Sequence, residues 1–109
     1  MFQGGALLKL HCELPAPQVD AVLQEYLPAA REIRNGTGDI LEPSSELGYV
    51  PAVSFFYEEN FQVVPVPQDF LVLILDAEPH EPGNWNHGYI YGLAVSTERQ
   101  QVIYWMKRW

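Results

Sequence analysis

Tyr89-Ile90-Tyr91-Gly92-Leu93-Ala94-Val95, then Ser96-Thr97-Glu98-Arg99, then Gln101-Val102-Ile103-Tyr104-Trp105 is the stretch that decides the fold. Its first run alternates with the period of two expected of a strand. Tyr89, Tyr91, Leu93 and Val95 fall on one side, and Ile90, Gly92 and Ala94 on the other. A polar turn follows, and the second run is again rich in β-branched and aromatic residues. The pattern predicts a β-hairpin.

Working upstream, Phe70 to Leu75 is apolar at every position, as in a strand covered on both faces. Val53, Phe55 and Tyr57, and then Phe61 to Val66, read as two more strand-like runs around the polar Glu58-Glu59-Asn60. Pro65 and Pro67 confine the second of these to an edge or end it early. Near the start, Leu8, Leu10, Cys12 and Leu14 share one side of an alternating run, and Leu7, Lys9, His11 and Glu13 the other. A strand with one buried face is expected there.

Pro15-Ala16-Pro17 stops that strand, and Pro17 suits the first residue of a helix because its φ is preset. Val19, Val22, Leu23, Tyr26 and Leu27 then recur at i, i+3, i+4, i+7 and i+8, an amphipathic stripe that Pro28 should end. Ala29 to Ile33 reads as a short turn, Asn35-Gly36 as a left-handed stop signal, and 35–48 as a long polar surface loop. The expected architecture is α+β: one amphipathic helix packed on a mainly antiparallel sheet of about five strands, ending in a C-terminal β-hairpin. A chain of 109 residues fits a single domain over 1–109.

Composition narrows the function classes. Apolar residues make up 48% and charged residues 18%, a balance unlike that of disordered or coiled-coil chains. No apolar run approaches the roughly 20 residues of a membrane helix, so no membrane association is expected. Fourteen acids against six Lys and Arg give a net charge of −8, which repels phosphate backbones and argues against a nucleic-acid partner. Met1 to Leu8 lacks the basic start and cleavage site of a signal peptide, and the single Cys12 reads as a small apolar residue. Both point to a reducing, cytoplasmic setting.

Motifs for catalysis are sparse. Gly36-Thr37-Gly38 lacks the lysine of a phosphate loop, and serines 44, 45, 54 and 96 have no sequence context linking them to a histidine. Adjacent acids such as Glu58 and Glu59 would face opposite ways in a strand or both face water in a turn. Asp76 to His87 gathers two histidines and three acids, but a Pro-Gly turn separates His80 from His87. They are not placed on one helix face as in His-Glu-x-x-His, so no metal and no cofactor are expected.

The same loop and the start of the strand after it offer better material for a protein contact. Trp85 and Tyr89 are large amphipathic anchors, and Glu78 and Glu81 stand beside them. With no catalytic residues to nominate, the expected function is a non-enzymatic acidic module that binds a basic protein partner. An inhibitor or immunity protein blocking a toxin nuclease is its most concrete form, because charge complementarity speeds such association. Two alternatives stay open: a small enzyme or ligand-binding domain around His80 and His87, and a structural homo-oligomeric subunit.

Overall fold

The structure, a computed structural model, describes residues 6–39, 65–77 and 89–108. Along the chain run β1 (Ala6–Glu13), α1 (Ala16–Tyr26), β2 (Glu32–Asn35), β3 (Leu71–Ala77), β4 (Tyr89–Ser96) and β5 (Gln101–Arg108). The five strands form one antiparallel sheet in the order β1-β5-β4-β3-β2, so the fold is α+β with β4 and β5 as the expected hairpin. Helix α1, the one helix among the described residues, carries the chain from one edge of this sheet to the other. It is too short to cross a membrane.

Local chemistry explains the helix. Pro15 caps it without a side-chain bond; Ala16 rather than Pro17 is the first helical residue, and Pro17 follows it in the first turn, where a missing N–H costs nothing. Pro28 follows the capping residue Leu27, as the sequence suggested. Of the apolar stripe, Val19 is fully buried, Val22, Leu23 and Tyr26 are half-buried, and Leu27 is exposed. Two parts of the reading fail beyond Pro28. Residues 32–35, expected in a turn and loop, form the edge strand β2, whose Ile33 is paired with Leu73.

Gly36 is not a left-handed stop either. Its role is close approach: a Cβ there would run into the Pro67 carbonyl. Among the described residues it is Gly38 that has positive φ, +80°. Beyond it, Asp39 bridges to Val66. The predicted strand at 53–57, the loop at 40–48 and residues 61–64 of the predicted strand Phe61 to Val66 lie outside the described residues; at its described end Val66 makes an isolated bridge rather than part of a strand.

Both sheet faces are covered at the centre. On the helix side Val19 packs with Leu73, Leu93, Val95 and Val102. On the other side Phe70, Val72, Ile74, Ala94, Ile103 and Trp105 cluster with Val66. The uniform hydrophobicity of 70–75 has this two-sided burial as its cause.

A polar staple joins the start of β3 to the β4–β5 turn. The Ser96 hydroxyl donates to Asp69 Oδ2 at 2.6 Å, and Arg99 grips the same carboxylate through Nε at 2.7 Å and Nη2 at 3.1 Å. The Arg99 guanidinium also lies 5.3 Å from the centre of the Phe70 ring. The Ser96 hydroxyl, and then Arg99, hold the Asp69 carboxyl below its ordinary value of 3.8. Because the folded value is lowered, the staple's contribution is fully present above about pH 5 and is lost as the pH falls through the folded value. Asp69→Ala should therefore cost about 2 kcal/mol at neutral pH, chiefly by removing the charge-assisted bonds that the carboxylate accepts from Ser96 and Arg99. Urea unfolding at several pH values checks this. The gap to the parent should close below about pH 4, and a gap unchanged down to pH 2 would rule out the ionised staple.

Candidate protein-binding surface

Of the four residues nominated from sequence, Glu78, Glu81 and Trp85 lie outside the described residues, as do His80 and His87. Tyr89 is described. It opens β4 on the helix side, where its ring stacks on Tyr91 two residues along, with centroids 6.2 Å apart and planes 20° from parallel. Its hydroxyl donates to Asp76 Oδ2 at 3.0 Å.

Asp76 is placed by an irregularity in β3. The β3–β4 register shifts between Ile74 and Asp76, which leaves Leu75 as the extra residue and swings Asp76 opposite Tyr91. The other carboxylate oxygen accepts a 2.7 Å bond from Arg31 Nη1. Arg31 is itself positioned after α1 by its N–H bond to the Ile74 carbonyl at 2.8 Å. The Arg31–Asp76 pair is well exposed, so it orients Tyr89 more than it stabilises the fold.

Beside this cluster lies an open apolar groove of about 300 Å³. Leu8 and Leu10 of β1, Tyr26 at the end of α1, Tyr91 of β4, and Tyr104 and Met106 of β5 line it. Tyr26 meets Tyr104 edge to face at 6.4 Å. Burial, followed by the neighbouring Tyr26, Cys12 and Glu25, pushes the Tyr104 hydroxyl above its ordinary value. The phenol, like an ordinary tyrosine, stays protonated at neutral pH and keeps its O–H as a donor.

The groove corrects the expectation for β1. Its helix-side face was expected to be buried, yet Leu8 is 67% exposed and Leu10 61%, and Cys12 and Leu14 are only half-buried. Geometry supplies the reason. Five strands at about 4.8 Å spacing span roughly 20 Å, whereas one helix is only about 10 Å across. The helix sits over the middle of the sheet, where Val19 reaches β3, β4 and β5, and leaves the helix side of β1 uncovered. Period-two alternation identifies the two faces of a strand but does not say whether anything covers them.

Chemically, the surface is suited to contact. Four tyrosines offer flat apolar rings with polar tips, the side-chain type that contributes most at protein interfaces. Ser96 is committed to the Asp69 staple. Among the described residues no three His, Cys, Asp or Glu side chains converge to hold a metal ion. The groove residues Leu8, Leu10, Tyr26 and Tyr104 were missed as site candidates because each belongs to a patterned run that reads as core, and Met106 lies just beyond the run that ends at Trp105. Comparison with protein-family models, curated proteins and solved structures gives no match, so these residues and their geometry are what a functional reading rests on.

Proposed function

We propose that the protein is a non-enzymatic, acidic binding module that blocks a basic protein partner, in the manner of an inhibitor or immunity protein directed at a toxin nuclease. The observation that carries this reading is the tyrosine-floored apolar groove, open on a chain of net charge −8. Charge draws a basic partner in over distance, and apolar anchors hold it at contact. Tyr89 stands beside the groove and, with Trp85, is assigned as an anchor; Glu78 and Glu81 are assigned to steering. A single cysteine fits a cytoplasmic setting for such a module.

The test is binding kinetics against the protein that co-purifies with this chain from its native host. Between 0.01 and 0.1 M salt the Debye length falls from about 30 Å to about 10 Å, and the association rate should drop about tenfold or more. Trp85→Ala should raise Kd about 30-fold, or about 2 kcal/mol, mainly through faster dissociation. Replacing Glu78 and Glu81 by Lys should slow association without changing the fold. Salt-independent association together with unaltered binding by these variants would exclude the reading.

A further inference from the structure

We propose that the apolar groove receives an arginine side chain of the basic partner, with the stem along Leu8 and Leu10 and the guanidinium against Tyr26 and Tyr104, beside Glu25. The inference rests on the basic-partner reading of this groove and names the group that fills it.

One wall of the groove suits an aliphatic stem. Leu8 and Leu10 are both exposed on the helix side of β1, where Leu8 faces Met106 and Leu10 faces Tyr104. Together they make an apolar strip that leads to the end of α1 at Tyr26. Long cationic side chains lay their stems on such surface and keep the charged head at a polar edge. At about 300 Å³ the space stands at the small end of ligand sites, a match for one long side chain.

The α1 end of the groove is electronegative for two reasons. Tyr26 and Tyr104 meet with their planes 75° apart, so the ring that supplies its edge keeps its own face clear of the other. Such a face attracts a cation through its quadrupole. The second reason is the helix itself. It contains Asp20 and Glu25 but no lysine or arginine, and Glu25 occupies the last turn, where a cation would offset the carbonyl end of the helix dipole. Glu25 is exposed, and among the described residues no cation pairs with it. Burial first, and then Tyr26, Cys12 and Glu25, push the Tyr104 hydroxyl up, so the charge of Glu25 is felt at the groove.

The chain's own cations do not contest this end. Arg31 is held by Asp76. Lys9 has a partner within its own chain and lies opposite Trp105, in a row that belongs to the other face of the sheet. Arg108 lies in register with Tyr89, two residues beyond Met106 and outside the groove lining. Arginine fits better than lysine because its guanidinium is planar, stacks on aromatic faces and is more weakly hydrated, so it loses less on entering an apolar groove. A purely apolar side chain would leave Glu25 and the helix end unmatched. Arginines of this kind hold phosphate in a nuclease, so a module that takes one up withdraws a phosphate ligand from its partner.

The experiment titrates the full chain with N-acetyl-arginine amide at constant ionic strength and follows the NMR signals of the Leu8 and Leu10 methyls and the Tyr26 and Tyr104 rings. These signals should shift saturably with a Kd of about 1–10 mM, and ring currents should move the Cδ protons of the amide upfield. The neutral isosteres N-acetyl-citrulline amide and N-acetyl-norleucine amide should bind about tenfold more weakly. Glu25→Gln changes an exposed residue, so it should keep the parent's circular dichroism and raise Kd about threefold. No saturable shift at these signals, equal binding of either neutral amide, or a Glu25→Gln protein that binds like the parent would each overturn the proposal. The co-purified partner separates this failure from that of the basic-partner reading. Salt-steered association that persists while the groove ignores the arginine amide would overturn the arginine subsite alone. Arginine binding beside salt-independent partner association that the loop variants leave unaltered would keep the subsite and remove the reading.

Discussion

Gly92→Ala is expected to abolish folding at 37 °C, with a loss of more than about 4 kcal/mol wherever a folded fraction can be measured. Gly92 sits in β4 opposite Ile74 and Trp105, beside the irregular stretch of β3. A Cβ at this position would overlap the Leu73 carbonyl oxygen and press on Ile74 Cα. These are backbone atoms of a neighbouring central strand, so no side-chain rotation relieves the overlap. The β3–β4 ladder would have to separate, and both buried clusters draw residues from those two strands. Gly38→Ala is the matched control. Gly38 has φ +80° but meets only the end of the Gln68 side chain, so alanine there should cost about 1–3 kcal/mol of backbone strain and still fold. Thermal melts of the two variants should separate them. A Gly92→Ala protein as stable as Gly38→Ala would mean that β3 and β4 do not approach this closely.

Phe70→Ala should be the costliest of the side-chain truncations, at about 3–5 kcal/mol. The ring is 1% exposed and fills the face of the sheet away from the helix, among Val66, Val72, Ile74, Ile103 and Trp105. Truncation leaves a cavity there, and also removes the surface over which Arg99 lies. The neighbouring backbone cannot readily close the gap. The Phe70 carbonyl accepts from the Gly36 N–H at 2.9 Å, and its own N–H donates to the Pro67 carbonyl at 3.2 Å. Against a typical total stability of about 5–15 kcal/mol, such a loss brings the protein close to its unfolding threshold. Phe70→Leu should recover most of it. Guanidinium titration of both variants gives the difference, and a Phe70→Ala loss below about 1 kcal/mol would show that this cluster is not a packed core.

Elements whose local patterns are strong were legible in the sequence because their causes are local. Alternation in Tyr89–Val95 and in 101–105 follows from the pleat, and a four-residue polar turn between them leaves few alternatives to a hairpin. The helix is set by Pro17, Pro28 and a 3.6-residue stripe, all within its own span or the two residues after it. The apolar run of 70–75 announced a strand with two covered faces. Net charge, the single cysteine and the absence of a long apolar run are likewise properties of the chain itself.

The tertiary structure decided what depends on neighbours distant in the chain. β2 has little strand signal of its own and exists because Glu32 to Asn35 pair with β3, some forty residues later. Gly36 and Gly92 look like ordinary glycines until the Pro67 and Leu73 carbonyls arrive beside them. Asp69, Ser96 and Arg99 carry no motif, and their staple depends on the β4–β5 turn reaching the start of β3. Tyr89 could be nominated from its residue type alone, whereas its orientation required Asp76 and Arg31 from two other elements. Leu8 and Leu10 show the division most clearly. Their spacing determined that they share a face, but whether that face is core or surface was set by the width of a five-stranded sheet under a single helix, a length ratio that no local pattern encodes.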